Sequence, residues 1–101
     1  MDEKKKKYIF RATDFYEMLD KQEYKCPLTG RELTPENTTA EHITPLRKGG
    51  LHIKDNIYLI DKETSKIKRY LTEVELINLA IDIVKSRGKE IGYGIRKIKK
   101  K

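Results

Sequence analysis

Glu41-His42-Ile43-Thr44-Pro45-Leu46-Arg47-Lys48-Gly49-Gly50, with Asp55-Asn56-Ile57-Tyr58-Leu59-Ile60 a few residues on, is the stretch whose reading decides the architecture of this chain. Residues 40–44 fit a short strand, with Glu41 and Ile43 on one face and Ala40, His42 and Thr44 on the other unless a bulge intervenes. Pro45 has no N–H to give and ends the pairing. Gly49 and Gly50 let the loop 46–54 turn back, Asn56 opens a second strand over 57–60, and Asp61 can cap a helix over 62–71. The pattern is strand, loop, strand, helix, with polar groups gathered at one end. An acid, an imidazole and an amide are what metal-assisted phosphodiester cleavage uses: a carboxylate for a hard cation, a base for water, and a group to hold the loop.

Upstream, Lys25-Cys26-Pro27-Leu28-Thr29-Gly30-Arg31-Glu32-Leu33 reads as a tight turn bracketed by Pro27 and Gly30, with Leu28 inward and Leu33 anchoring a short strand. Residues 36–39 read as a polar loop. Before the turn, Thr13 can cap a helix reaching about residue 24, with Ala12, Phe15, Met18 and Leu19 on one face and Asp14 and Glu17 near its start. Downstream, the helix 62–71 is expected to turn Ile67, Tyr70 and Leu71 to the core and Lys62, Lys66 and Arg69 outward. Thr72-Glu73-Val74-Glu75 is a capping box that opens a helix to Arg87, closed by Gly88. Its apolar stripe (Val74, Ile77, Ala80, Ile81 and Val84, widened by Leu76, Leu79 and Ile83) exceeds what a small hairpin must cover. It packs on the first helix or forms a dimer interface. Ile91, Tyr93, Ile95 and Ile98 alternate with glycine and bases, as in a short strand or an arm that orders on nucleic acid.

With 101 residues there is room for one domain, and a chain this short buries only roughly 65% of the surface its unfolded form exposes. The reading is a folded unit over 12–88 between a basic flexible leader (1–11) and a basic tail (89–101). Residues 1–11 carry five bases and two acids, and residues 85–101 carry eight bases and one acid. The segment between carries ten bases and thirteen acids, so the net +7 belongs to the two ends. Such ends suit a polyanion, which they position without reading sequence, although lysine-rich termini also simply promote solubility. Cys26 stands alone, which excludes an internal disulfide and a thiolate zinc ribbon; a small buried apolar residue at a turn is the expectation. No apolar run approaches the roughly 20 residues of a membrane span, so no membrane partner is expected and an intracellular location is.

The residues Glu41-His42-Ile43-x-Pro45, the loop Gly49-Gly50, Asn56 and Lys68, preceded by the turn at 25–33, resemble the HNH nuclease family. The likeness extends to the HNH domains of CRISPR effector nucleases and covers residues 24–70, about half the chain. The resemblance implies an α+β protein with a ββα-metal core and flanking N-terminal and C-terminal helices, working as a divalent-metal-dependent DNA endonuclease. It implies that His42 points into the cleft as general base and that Asn56 positions the loop. Glu41 would reach one divalent cation, Mg²⁺ or Mn²⁺, from the side, and cleavage would leave a 5′ phosphate. Family members carry a His or Asn as a further metal ligand nine positions after the middle Asn, where this chain has Ser65.

Three readings follow: Ser65 is a weak ligand; Glu63 or Asp61 substitutes after a register shift; or the site has lost its metal and becomes a nucleic-acid-binding module. Many members clamp their strands with paired Cys-x-x-Cys motifs. Asp61 and Thr64 stand at the later positions, so no structural zinc is expected. Arg47, Lys48, Lys54, Lys68 and Arg69 are the candidate DNA contacts. His52 reads as a surface or structural histidine, with a substrate contact as the alternative. Pairing of two chains through residues 73–87 is the simple route from single-strand to double-strand cleavage.

Overall fold

The computed structural model describes residues 7–99, so residues 1–6 of the expected leader and 100–101 of the tail lie outside it. The described residues form a small α+β unit in the order α1 (Ala12–Lys21), β1 (Thr38–His42), β2 (Ile57–Asp61), α2 (Lys62–Lys68) and α3 (Glu73–Arg87). Single 3₁₀ turns occupy Leu46–Lys48, Lys54–Asn56 and Gly88–Ile91.

β1 and β2 pair antiparallel, with Thr38 opposite Asp61, Glu41 opposite Tyr58 and His42 opposite Ile57. Every residue of β2 is buried, which is why Ile57-Tyr58-Leu59-Ile60 runs apolar without alternation. α1 packs on β2, and α2 packs on both strands. Met18 and Leu19 from α1, Cys26 and Leu33 from the turn, and Ile57 to Ile60 make the core. Burying these side chains contributes about 1.5–3 kcal/mol for each large apolar residue. Cys26 is buried at the turn, as expected of a small apolar residue.

The open edge of β2 is closed by a side chain. The Gln22 amide donates to the Leu59 carbonyl (2.9 Å) and accepts from the Leu59 N–H (2.9 Å), replacing one rung of a third strand. Nothing in the residue pattern marked Gln22 for this.

Several boundaries differ from those expected. α1 begins at Ala12 and Thr13 does not cap it; the Asp14 carboxylate accepts the Arg11 N–H (2.9 Å) instead. It stops at Lys21, because Glu23 and Tyr24 take positive φ values of 55° and 58° to enter the turn. β1 starts at Thr38, taking in residues expected to be loop, since Thr38 and Thr39 pair with Asp61 and Ile60. α2 is shorter than expected because Arg69 leaves helical geometry (φ 41°). Its inward face is also different: Ile67 (58%) and Tyr70 (48%) are exposed, while Thr64 and Lys68 are buried.

α3 spans the expected residues, with Thr72 accepting from the Glu75 N–H (3.2 Å) and Glu75 accepting from the Thr72 N–H (2.9 Å). Gly88 follows it in ordinary helical geometry (φ −60°), so left-handed freedom is not why glycine stands there. A Cβ at Gly88 would lie 2.7 Å from the Tyr93 carbonyl oxygen and 2.8 Å from Val84 Cγ1. α3 packs on α2, where the first helix was one expected partner, and none of its residues is buried. Between α3, α2 and the turn at Leu28 runs an open apolar groove of about 470 Å³ lined by Leu28, Ile67, Leu76, Ile77, Ala80 and Ile83 among others. Residues 92–99 form neither strand nor helix.

Candidate active site at the end of the hairpin

Strand alternation governs the centre of the site. Glu41 and His42 are neighbours in β1, so their side chains leave on opposite faces. Glu41 faces α2, where its Oε2 accepts the Ser65 hydroxyl. The two residues, with Lys66, Arg69 and Tyr70, line a shallow cleft of about 330 Å³. His42 faces the loop, where its Nε2 lies 2.9 Å from His52 Nδ1. The expectation that His42 points into the same cleft as Glu41 is therefore corrected: no bulge interrupts β1, and simple alternation prevails.

The loop between the strands is built on Asn56, as its paired donor and acceptor suggested. Its Oδ1 accepts the Thr44 N–H (2.9 Å), and its Nδ2 donates to the carbonyls of Thr44 (3.0 Å) and Leu51 (2.8 Å). The start of the loop and its middle are thus tied to one side chain at its end. Gly50 makes that possible, since a Cβ there would stand 1.9 Å from the Thr44 carbonyl oxygen and 2.9 Å from Asn56 Nδ2. The main chain at Ile43 extends the hairpin by one more bond, to the Asn56 carbonyl (2.8 Å).

Lys68 departs furthest from expectation. It is 1% exposed, and its ammonium donates to the carbonyls of His42 (3.1 Å) and Ile43 (3.2 Å). A surface phosphate contact is corrected to an internal clamp that holds the end of β1 on α2. Burial pushes its pKa down, against the opposing charges of Glu41 and Glu73. Nearby, burial and then the Glu73 carboxylate push the Tyr58 phenol up.

The other expected DNA contacts divide into two groups. Arg47 lies over the Tyr70 ring at 3.9 Å, and Arg69 approaches the same ring at 5.5 Å, so both guanidiniums gather at the rim of the Glu41 cleft. Lys48 instead pairs with Glu75 (2.7 Å), and Lys54 with Asp14 and Glu17 (both 3.4 Å). The Lys48 ammonium, followed by the Thr72 N–H, holds the Glu75 carboxyl below its ordinary range. These are exposed or partly exposed pairs, of the kind worth little.

Two cleft residues went unrecognised in the sequence, Lys66 and Tyr70. Lys66 follows Ser65 directly on α2, and Tyr70 lies in the turn just after that helix. The alternative ligands to Ser65 are engaged elsewhere: Asp61 caps α2 through Thr64, and Glu63 pairs with Arg31 (2.7 Å). Ser65 is the residue of this helix that meets Glu41. A larger recess of about 620 Å³ lies between α1 and the turn before β2, lined by Glu17, Asp20, Lys54 and Ile57 among others; none of the expected catalytic or metal residues lines it.

The donors at the Glu41–Ser65 junction are one carboxylate and one hydroxyl, both hard oxygens, opening on the shallow cleft. That set fits Mg²⁺, which takes few protein ligands and keeps several waters. Among the described residues no three His, Cys, Asp or Glu side chains converge. No helix among them is long and apolar enough to cross a membrane. The chain matches no family model and no curated protein.

Proposed function

We propose that this chain is a divalent-metal-dependent DNA endonuclease of the HNH type, with β1, β2 and α2 as its ββα-metal core. The observation that carries the reading is the meeting of Glu41 and Ser65 across the junction of β1 and α2. The two positions that the resemblance makes metal ligands come together in space, although 24 residues separate them. A divalent cation held there would stabilise charge developing on the phosphate.

The separation of Glu41 from His42 suits the chemistry. In-line displacement puts the attacking and leaving oxygens on opposite sides of phosphorus. With a phosphate laid across the end of β1, His42 takes a proton from water on one side, and the cleft supports the leaving oxygen on the other. Arg47, Lys66 and Arg69 hold flanking phosphates, and Asn56 keeps the loop from drifting. Lys68 keeps the His42 backbone in place from beneath.

Supercoiled plasmid incubated with the purified chain and Mg²⁺ or Mn²⁺ tests the reading. Nicking is expected, and His42→Ala should lower its rate by about 10²–10⁴ while DNA affinity holds. A His42→Ala protein that nicks as fast as the parent removes His42 from the mechanism. Pairing of two chains along residues 73–87 belongs to the same reading, because one site cuts one strand and α3 leaves Ile77, Leu79 and Ile83 exposed. A sedimentation coefficient that stays at the monomer value as protein concentration rises rejects that pairing.

A second reading rests on Ser65 being neutral and on no third acid or imidazole joining it among the described residues. It is a non-catalytic nucleic-acid-binding module on the same scaffold. It requires salt-sensitive DNA binding, no nicking with any divalent cation, and indifference to Ser65→Asn.

A further inference from the structure

We propose that His52 is a positioning residue that fixes the tautomer and ring orientation of His42. The inference rests on the nuclease reading for its purpose, but its geometry is independent of it. His42 Nε2 and His52 Nδ1 lie 2.9 Å apart, and the two rings meet edge to face with centroids 5.2 Å apart. A neutral imidazole has one donor and one acceptor nitrogen, so only one of these two facing nitrogens carries a hydrogen.

The choice couples both rings. If His42 Nε2–H donates, His52 Nδ1 is the acceptor and the hydrogen of His52 sits on Nε2. Both rings then hold the Nε2–H form, which the free side chain prefers. The reverse direction forces both rings into the less favoured Nδ1–H form. The preferred direction leaves the His42 Nδ1 lone pair free for the proton of an attacking water. As His42 takes that proton, its Nε2–H keeps its acceptor, so the ring does not turn during the step.

His52 is itself held. Its ring stands edge to face with Tyr8 (centroids 5.4 Å apart, planes at 60°), and the Tyr8 hydroxyl reaches Asp14 at 3.4 Å. The carbonyl of the preceding residue, Leu51, accepts from Asn56 Nδ2 at 2.8 Å. Asn56 and the Tyr8–Asp14 pair therefore act on His42 through His52. Residues separated in the chain converge on the nitrogen opposite the one that does the chemistry.

The test uses the full chain. His52→Phe keeps a ring against Tyr8 but removes the acceptor, and His52→Asn restores an acceptor near the Nδ1 position. Ring ¹⁵N shifts, read at about pH 8.5 where ordinary imidazoles are neutral, should show His42 wholly as Nε2–H in the parent. They should show mixed tautomers in His52→Phe and recovery in His52→Asn. Plasmid nicking should fall about tenfold in His52→Phe, in kcat with KM unchanged, and recover in His52→Asn. Unchanged His42 shifts in His52→Phe, or no recovery in His52→Asn, overturns the assignment. A parent that never nicks yet shows the tautomer change overturns the nuclease reading and leaves the His52 assignment standing.

Discussion

Ser65 and Lys68 lie three positions apart on α2 and show how one side chain sets what a site can do. Ser65 offers a neutral hydroxyl beside Glu41, a weaker donor than an amide oxygen or an imidazole. Under the nuclease reading, Ser65→Asn should preserve or raise nicking at sub-millimolar Mg²⁺, measured as rate against cation concentration; a clear loss counts against Ser65 as a ligand position. Lys68 holds the carbonyls of His42 and Ile43 from within. Lys68→Met keeps the length of the side chain and leaves both carbonyls without that donor. The expected cost is about 1–3 kcal/mol in a denaturant melt and, under the nuclease reading, loss of nicking. A variant as stable as the parent means that water replaces the ammonium. Glu41, His42 and Asn56 were legible as a candidate set because few other roles call for an acid, an imidazole and an amide at such spacing. His52 and Gln22 were not, since their partners lie 10 and 37 residues away.

At the scale of elements, capping and exclusion of glycine's alternatives explain what periodicity left open. The start of α3 was legible because a capping box is a local arrangement complete in four residues. The inward face of α2 was not, because its polar side is satisfied by β1 and the preceding cap rather than by its own turn. Asp61 ends β2 and caps α2, accepting the Thr64 N–H (3.0 Å) and hydroxyl (2.8 Å). Burial works to raise its pKa, but these bonds outweigh it, and the carboxyl lies below its ordinary 3.8. A folded value below the unfolded one means that this stabilisation is whole above pH 3.8 and is lost as pH falls through the folded value. Thermal melts between about pH 5 and pH 2 should therefore fall less steeply for Asp61→Asn than for the parent. Equal slopes would show that Asp61 is not the acid-sensitive cap.

For the whole molecule, a mildly acidic body of ten bases and thirteen acids lies between strongly basic ends, and the hairpin carries its candidate chemistry at one corner. Under the proposed function, DNA affinity should fall linearly on a logarithmic salt scale, with a slope of roughly −0.9 for each phosphate contact. Removing residues 96–101 takes away five bases. It should flatten that slope and weaken binding to all sequences alike, as measured by fluorescence anisotropy at several salt concentrations. An unchanged slope places the contacts on the folded body, at Arg47, Lys66 and Arg69. The sequence alone determined the order of strands and helices around residues 40–68, the extent of α3 and the basic ends, because turn chemistry, caps and charge act over a few neighbouring residues. Only the tertiary structure decided that Lys68 is a buried clamp, that Lys48 and Lys54 meet acids, that Glu41 finds Ser65 while His42 finds His52, and that α3 leans on α2. Those outcomes depend on which surfaces packing brings together and on which polar groups must find partners once water has left.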